Sequence, residues 1–379
     1  MSFELTDEQQ LTRSSVREFA EADVAPIAAE IDREHRPPLD IVPKLGELGL
    51  LGMLVPEEYG GVGMDTVSYC IAIEELSRVC ASTAVLVEAH SSLCTWPIVH
   101  YGTEEQKQAY LPDLASGAKI GAFGLTEPNA GSDAGNTATT AVRDGDEFIL
   151  NGQKIFITNG GFADVFVIMA RSTDAPGTHG VSAFIVDRDT PGFTIGEPEH
   201  KMGIRGSSTV PLFFSDARIP AANLLGQEGK GFNLAMATLD GGRTGIAAQA
   251  VGIAQGAFEA AVAYAKERVQ FGKPIASLQA IQWMIADMAT EIEAGRLLVY
   301  QAADLEWRHE PFATHSAMAK LFCAEMATRV AGKAIQIHGG VGYTEAYPVE
   351  RAYRDAKITE IYEGTNEIQR LVVSRAFLR

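Results

Sequence analysis

The spacing of apolar residues changes twice along this chain, and that change dictates a three-part architecture. Up to about residue 119 the apolar positions recur at helical intervals. From 120 to 230 they fall in short runs separated by Gly, Pro, Asp and Asn, and from 231 the helical interval returns. A period near 3.6 builds helices and a period near two builds strands, so no single kind of element serves all three stretches. The expected fold is mainly α with a β domain: an N-terminal helical domain over 1–119, a middle antiparallel β domain over 120–230, and a C-terminal four-helix bundle over 231–379.

Local signals give the details. Thr6-Asp7-Glu8-Gln9 is a capping box and predicts a helix with Leu11, Val16, Phe19 and Ala20 on its apolar face. Pro37-Pro38 breaks the pattern; Ile41, Leu45 and Leu48 resume it as far as Gly49, and residues 56–63 read as a loop. Val67, Cys70, Ile71 and Leu76 mark another helix. A second capping box, Thr103 to Gln106, predicts a short one ending near Pro112. Strands are expected at 120–125, 148–156, 165–170, 181–186, 193–195 and 210–214, with turns at Asp144-Gly145-Asp146 and Asn151-Gly152. Long Ala-rich helices follow over 232–267, 277–310 and 312–337. A final helix carries Ile368, Leu371, Val372 and Ala376 on one face.

Charge and cysteine content narrow the function. With 49 acidic against 31 basic residues the formal charge is −18, which opposes nucleic acid and anionic membranes. Any anionic ligand then needs a local cluster of Arg, Lys or helix N-termini. Cys70, Cys80, Cys94 and Cys323 form no CxxC pair and no metal-ligand spacing with His, so reduced thiols and no metal are expected. There is no run of 18 apolar residues, and Met1-Ser2-Phe3-Glu4 does not open a signal peptide. The expected compartment is the cytoplasm, or an organelle matrix after removal of a leader.

Chemistry concentrates near the end, at residues 361–368. Glu363 stands between Tyr362 and Gly364, just before the last helix, whose first turn Thr365 or Asn366 can cap. A carboxylate there lies by the positive end of a helix, with a ring on one side and an unencumbered backbone on the other. It is a candidate general base. No GxGxxG follows a strand, residues 226–231 lack P-loop spacing, and no GxSxG elbow exists. His338 has no second histidine at metal spacing and reads as packed or hydrogen-bonded. Four further stretches combine hydroxyls, glycines and charge: 121–133, 156–160, 267–273 and 336–343.

Together these stretches resemble the acyl-CoA dehydrogenase family over essentially the whole chain. Phe123-Gly124-Leu125-Thr126-Glu127-Pro128 through Ser132-Asp133 is similar to that family's first flavin signature, and Arg354-Asp355-Ala356-Lys357 through Tyr362-Glu363-Gly364-Thr365-Asn366-Glu367 to its second. The resemblance implies FAD as cofactor. Leu125, Thr126, Ser132, Phe156 and Thr158 would line the isoalloxazine, with Phe123, Gly131 and Ile157 in the same set and Thr158 near N5. Arg268, Gln270, Phe271, Gln279, Gln336, Gly339 and Gly340 would hold the pyrophosphate and adenosine across a subunit interface. Thr365 and Glu367 would complete the cofactor site. Asp240, Arg243 and Ser132 would meet the CoA moiety, with Tyr362 and Gly364 beside the substrate.

In the isovaleryl and long-chain branches of that family the basic glutamate stands at the place of Gly242. Here that place is glycine, which leaves Glu363 as the base and favours the short- or medium-chain branch. The implied reaction removes the α-proton of an acyl-CoA with Glu363 and the β-hydride with flavin N5, giving a trans-2-enoyl-CoA, a step of fatty acid β-oxidation. The backbone N–H of Glu363 and a flavin ribityl hydroxyl would hold the thioester oxygen. An electron-transferring flavoprotein is the implied acceptor and a homotetramer the implied assembly. Residues 87–93 and 239–242 are expected to set pocket depth. Competing readings are an acyl-CoA oxidase on the same scaffold and a non-catalytic acyl-carrier-binding or assembly protein.

Overall fold

The computed structural model describes residues 4–378, so the leader reading at Met1-Ser2-Phe3 lies outside the described residues. Seven helices precede the sheet: α1 (Asp7–Phe19), α2 (Ala25–Glu34), α3 (Val42–Glu47), α4 (Thr66–Val79), α5 (Ala81–Glu88), α6 (Trp96–Tyr101) and α7 (Glu104–Ser116). Both capping boxes form, with the side chains of Thr6 and Thr103 accepting from the Gln9 and Gln106 N–H groups. Two expectations for this part fail. Leu11 and Leu48 are exposed, and Thr12 takes the buried position beside Val16 and Phe19. Helix α7 also continues through Pro112. The proline forgoes one backbone bond, but Leu111, Leu114 and Ala115 are buried, and the helix ends only where Gly117 turns left-handed at φ 76°.

The middle part is a sheet of eight strands: β1 (Gly121–Gly124), β2 (Thr140–Asp144), β3 (Glu147–Ile157), β4 (Val165–Arg171), β5 (Val181–Asp187), β6 (Phe193–Ile195), β7 (Val210–Pro220) and β8 (Leu224–Leu225). The sheet is mixed and not purely antiparallel, because β1 runs parallel to β4 and β2 meets β4 in parallel through Thr140 and Arg171. The Asp144–Asp146 turn joins β2 to β3 as expected, but Asn151-Gly152 makes no turn. It lies inside β3 at a bulge against β7, where Gly152 takes φ 141° and presses against Thr139. A side chain at 152 would strike the Thr139 backbone, so glycine serves the bulge.

Past the sheet come α8 (Gly231–Glu267), a short hairpin of β9 (Val269–Gln270) and β10 (Lys273–Pro274), α9 (Gln279–Trp307), α10 (Ala313–His338), α11 (Val349–Ile358) and α12 (Asn366–Leu378). Helices α8, α9 and α10 pack on one another, and α12 packs on α10. Helix α8 also packs against α4, so one continuous core runs from the N-terminal helices into the C-terminal ones. Small residues allow that approach: a Cβ at Gly252 would enter the Glu74 backbone, and one at Gly256 the Arg78 backbone. Helix α8 has the length and hydropathy of a membrane span, yet most of its apolar stretch is buried in this core. Leu371 of α12 is exposed, and the residues that α12 buries are Asn366 and Gln369. All four cysteines are free and buried. His338 bonds the Ala334 carbonyl and stacks on Tyr264 at 4.4 Å, the packed role expected of it.

Candidate active site

Glu363 occupies the bend between α11 and α12 in a left-handed conformation, φ 52°, followed by Gly364 at φ 91°. A non-glycine residue there is strained, and the surroundings must hold it. They do so through the two carbonyls of the bend. The Glu363 carbonyl accepts from Gln369 Nε2 at 3.2 Å and Arg243 Nε at 3.4 Å. The Gly364 carbonyl accepts from Lys320 Nζ at 2.8 Å and Gln369 Nε2 at 2.9 Å. Thr365, not Asn366, caps α12 by accepting from Ile368 N. Gly364 is required by its φ and by Gln369, whose amide would lie 2.8 Å from any Cβ there; the close approach of a ligand is not needed to explain it.

The Glu363 carboxyl points at α8. A Cβ at Gly242 would overlap its Oε2, with Leu93 Cδ2 at 2.9 Å, so position 242 addresses the same point in space as the acid. One turn further, a Cβ at Gly245 would meet Glu88 Oε1 at 2.8 Å and the Tyr69 hydroxyl at 3.1 Å. Gly242, Gly245 and Gln249 thus form one face of α8, bare at its start and closed at Gln249. The Gln249 side chain donates to the Ala81 carbonyl at 3.1 Å and accepts from the Tyr362 hydroxyl.

Glu88 and Glu363 face each other across this groove. Glu88 is fully buried, and its Oε1 accepts from Ser92 Oγ at 2.6 Å. Its Oε2 and the Oε2 of Glu363 are both buried and accept no hydrogen bond from any N–H or hydroxyl group. Burial, then the Glu363 charge, pushes the Glu88 carboxyl far up, which favours its protonated form as the donor in a hydrogen bond to Glu363. Burial also raises Glu363, to about 7, opposed by that hydrogen bond and by the charges of Arg243 and Lys320. A carboxylate poised near neutrality in a closed groove can accept a proton from carbon.

A second part of the site lies at the sheet end. The loop after β1 and the end of β3 are joined by the Ile155 N–H on the Thr126 carbonyl, 2.9 Å. Buried Lys154 donates to the Leu125 carbonyl at 3.1 Å and to Glu127 Oε1 at 2.6 Å. Glu127 in turn accepts from the N–H groups of Ala138 and Thr139. Burial works against the Glu127 charge, yet Lys154 and these donors hold its carboxyl below the usual range. Phe123, Leu125 and Ile157 are buried, Thr126 and Thr158 half-buried, and Gly131 and Ser132 exposed. Phe156 projects at φ 60° and the residue is 58% exposed. An exposed aromatic on a strained backbone, beside hydroxyls and a rigid loop, fits a planar ring system with polar edges, as FAD requires.

The two parts are tied together. Asn159 donates to the Leu86 carbonyl at 3.0 Å, two residues before Glu88. Helix α5 opens into a wide π-helical turn over Ala89–Thr95. Within it His90 Nδ1 accepts from Gly121 N at 3.0 Å, and Cys94 bonds the Val165 carbonyl. Burial drives His90 down to about 4, so it is a neutral strut whose Nε2–H meets the Leu114 carbonyl. The turn aims Leu93 at Gly242 while His90 and Cys94 hold the sheet, a common use of π-bulges.

The remaining sequence-predicted residues sit elsewhere. Arg268, Gln270, Phe271 and Gln279 lie on or beside the β9–β10 hairpin, and Gln336, Gly339 and Gly340 at the end of α10; all are exposed. Among the described residues, no hydrogen bond or ion pair joins either group to the Leu125–Thr126 or Phe156–Thr158 segments. Glu367 is exposed on the first turn of α12. Asp240 pairs with Arg243 at 2.5 Å at the open end of the groove. Sequence reasoning missed Glu88, Lys320 and Lys154. Each is a charge set among buried residues: Glu88 ends the run Ala84-Val85-Leu86-Val87, and Lys320 shares its helix face with Ser316, Cys323 and Ala327. A charge on an apolar stripe was the available signal.

Models of the acyl-CoA dehydrogenase N-terminal, middle and C-terminal domains match residues 6–118, 122–217 and 229–378. The short-chain specific acyl-CoA dehydrogenase of Clostridium acetobutylicum is 56% identical over 379 residues, covering 100% of both chains. The butyryl-CoA dehydrogenase structure from Megasphaera elsdenii is 49% identical with a TM-score of 0.98, again over 100% of both. A chain in a structure of the electron transferring flavoprotein of Acidaminococcus fermentans is 53% identical with a TM-score of 0.99 over 100% of both. A poised acid facing a bare helix face, a hydrogen-bonded loop carrying the polar and aromatic groups a flavin would need, and identity of this extent along the full length agree: the chain belongs to the acyl-CoA dehydrogenase family, FAD-dependent oxidoreductases acting on CH–CH groups.

Proposed function

We propose that this enzyme dehydrogenates short acyl-CoA thioesters to trans-2-enoyl-CoA and passes the electrons to an electron-transferring flavoprotein. The observation that carries this reading is the groove along α8, with the Glu363 carboxyl at Gly242 and an end closed by Glu88, Tyr69 and Gln249. Gly242 to Gly245 spans about 4.5 Å of helix rise, and Gly242 to Gln249 about 10 Å. A tail entering past Glu363 therefore meets side chains within a few carbons. The relatives named for short-chain and butyryl substrates, and the electron transferring flavoprotein structure, support the same reading.

Glu363 takes the α-proton, and its N–H would steady the thioester oxygen. An acyl tail that displaces Glu88 from Glu363 strips away the donated hydrogen bond and raises the basicity of Glu363 further. FAD, when bound, supplies the acceptor for the β-hydride. Phe123, Leu125, Thr126, Gly131, Ser132, Phe156, Ile157 and Thr158 would hold its ring end, and Asp240 and Arg243 would meet the CoA portion. The test is anaerobic titration of the purified flavoprotein with acyl-CoA esters of graded length. Butyryl-CoA should bleach the flavin fully, and octanoyl-CoA little; equal bleaching by both would overturn the short-chain assignment.

The closed end gives a sharper expectation. Gln249→Ala removes the bridge between Tyr362 and the Ala81 carbonyl. It should raise kcat/KM for a six- to eight-carbon ester about tenfold or more relative to butyryl-CoA, because each added methylene is worth about 1 kcal/mol or more where it can be buried. Competition between two esters in one assay measures the ratio.

We further read the division at 119/120 and 230/231 as domain boundaries, since α7 ends at Ser116, β1 begins at Gly121, β8 ends at Leu225 and α8 begins at Gly231. The exposed cofactor candidates Arg268, Gln270, Phe271, Gln279, Gln336, Gly339 and Gly340 are assigned to a neighbouring subunit's FAD within a homotetramer, and Thr365 and Glu367 are read as completing the cofactor site. Phe271, 89% exposed at φ 52°, and the apolar surface of α12 support such a contact. Arg268→Ala should yield folded protein with less than half the normal flavin per chain, read from the visible-to-ultraviolet absorbance ratio; unchanged content would refute the cross-subunit role.

A further inference from the structure

We propose that Lys320 is a positioning residue for the base: its buried ammonium, held on the two acceptors that flank the bend, fastens the turn that carries Glu363 and favours the ionised form of that carboxyl. The inference rests on Glu363 being the base and adds what holds it ready. Lys320 is fully buried in α10, where an unpaired ammonium is costly. Its Nζ reaches two neutral acceptors, the Gly364 carbonyl at 2.8 Å and Asn366 Oδ1 at 3.2 Å. These flank the bend, one just after the base and one at the start of α12.

Hydrogen bonding alone does not call for a cation there. The Gly364 carbonyl is already satisfied by the Gln369 amide at 2.9 Å, so a neutral side chain in place of Lys320 would leave no acceptor orphaned at that atom. What only lysine adds is charge. The groups facing Glu363 are Arg243 from α8, Glu88 from α5, Tyr69 from α4, Tyr362 beside it and Lys320 from α10. Arg243 favours the Glu363 charge more strongly than Lys320 does but is also paired with Asp240 at 2.5 Å, and burial pushes the Glu88 carboxyl far up. Glu360, which also faces Lys320, is held by Lys357 and Thr328, and Glu367 is exposed. Among the described residues, Lys320 is therefore the cation beside Glu363 that no carboxylate pairs. Burial pulls that ammonium down and the Glu363 charge opposes the fall, leaving it at about 7, so each group favours the ionised form of the other.

The test is the pH dependence of flavin bleaching by butyryl-CoA in single turnovers. Lys320→Met and Lys320→Gln remove the charge, with and without loss of a donor. Both should move the acid limb of the profile up by about one pH unit, so that activity returns towards pH 9, whereas Lys320→Arg keeps the original limb. Asn366→Asp neutralises the ammonium without touching the lysine and should move the limb in the same direction. A rate lowered by the same factor at every pH, with the limb unmoved in these variants, would overturn the proposal. Glu363→Gln is the control: bleaching that survives it removes the base assignment itself. An inactive Glu363→Gln beside an unmoved limb removes only the role of Lys320.

Discussion

Glu363→Gln should fold, bind FAD, bind butyryl-CoA and turn over about 10²–10⁴ times more slowly than the parent, because a positioned general base is worth that much. Glutamine keeps the shape and one acceptor oxygen, and its amide can still face Glu88. What it lacks is an oxygen able to hold the α-proton. No other carboxylate stands ready: burial pushes the Glu88 carboxyl far up, towards its protonated form, and position 242, which addresses the same point, is glycine. The dissociation constant for the substrate should change by less than the rate. Stopped-flow reduction without oxygen separates the two. A variant that reduces its flavin at the parental rate would show that the proton leaves by another route.

Lys154→Met should cost stability on a scale rare for one residue, about 3–5 kcal/mol, because it strips the partner from a buried carboxylate. Glu127 would keep the Ala138 and Thr139 N–H groups but lose the ammonium at 2.6 Å, and the Leu125 carbonyl would lose its donor. The loop from Leu125 to Ser132 is built on this pair, so flavin content should fall along with the urea midpoint. Adding Glu127→Gln should restore part of the stability, since the charge is gone while the backbone donors keep an acceptor. Circular dichroism across a urea series measures the first effect and absorbance the second. A single variant as stable as the parent would mean that Glu127 finds water or another cation.

The change in apolar period made the order of helices and sheet readable, and paired capping signals placed the starts of α1 and α7. What escaped depended on contacts between distant segments. Leu11 and Leu48 fit a helical stripe, but the core reaches the other side of their helices. Asn151-Gly152 carries a strong turn signature that the pairing of β3 with β7 overrides, turning it into a bulge. The parallel contact of β1 with β4 has no local mark at all. At the site, Glu363 stood out through its neighbours and the resemblance they carry. Glu88 and Lys320 are remote in sequence, and their roles appear only when α5, α8 and α10 converge on the same bend.

The seven-residue wide turn between α5 and α6 limits where this gene can lengthen or shorten. One residue deleted there would restore an ordinary helical repeat and swing everything after it by about 100°. His90 and Cys94 could not then grip the first strand while Glu88 still looked at the acid. Drift by substitution is open to that segment; drift by insertion or deletion is not.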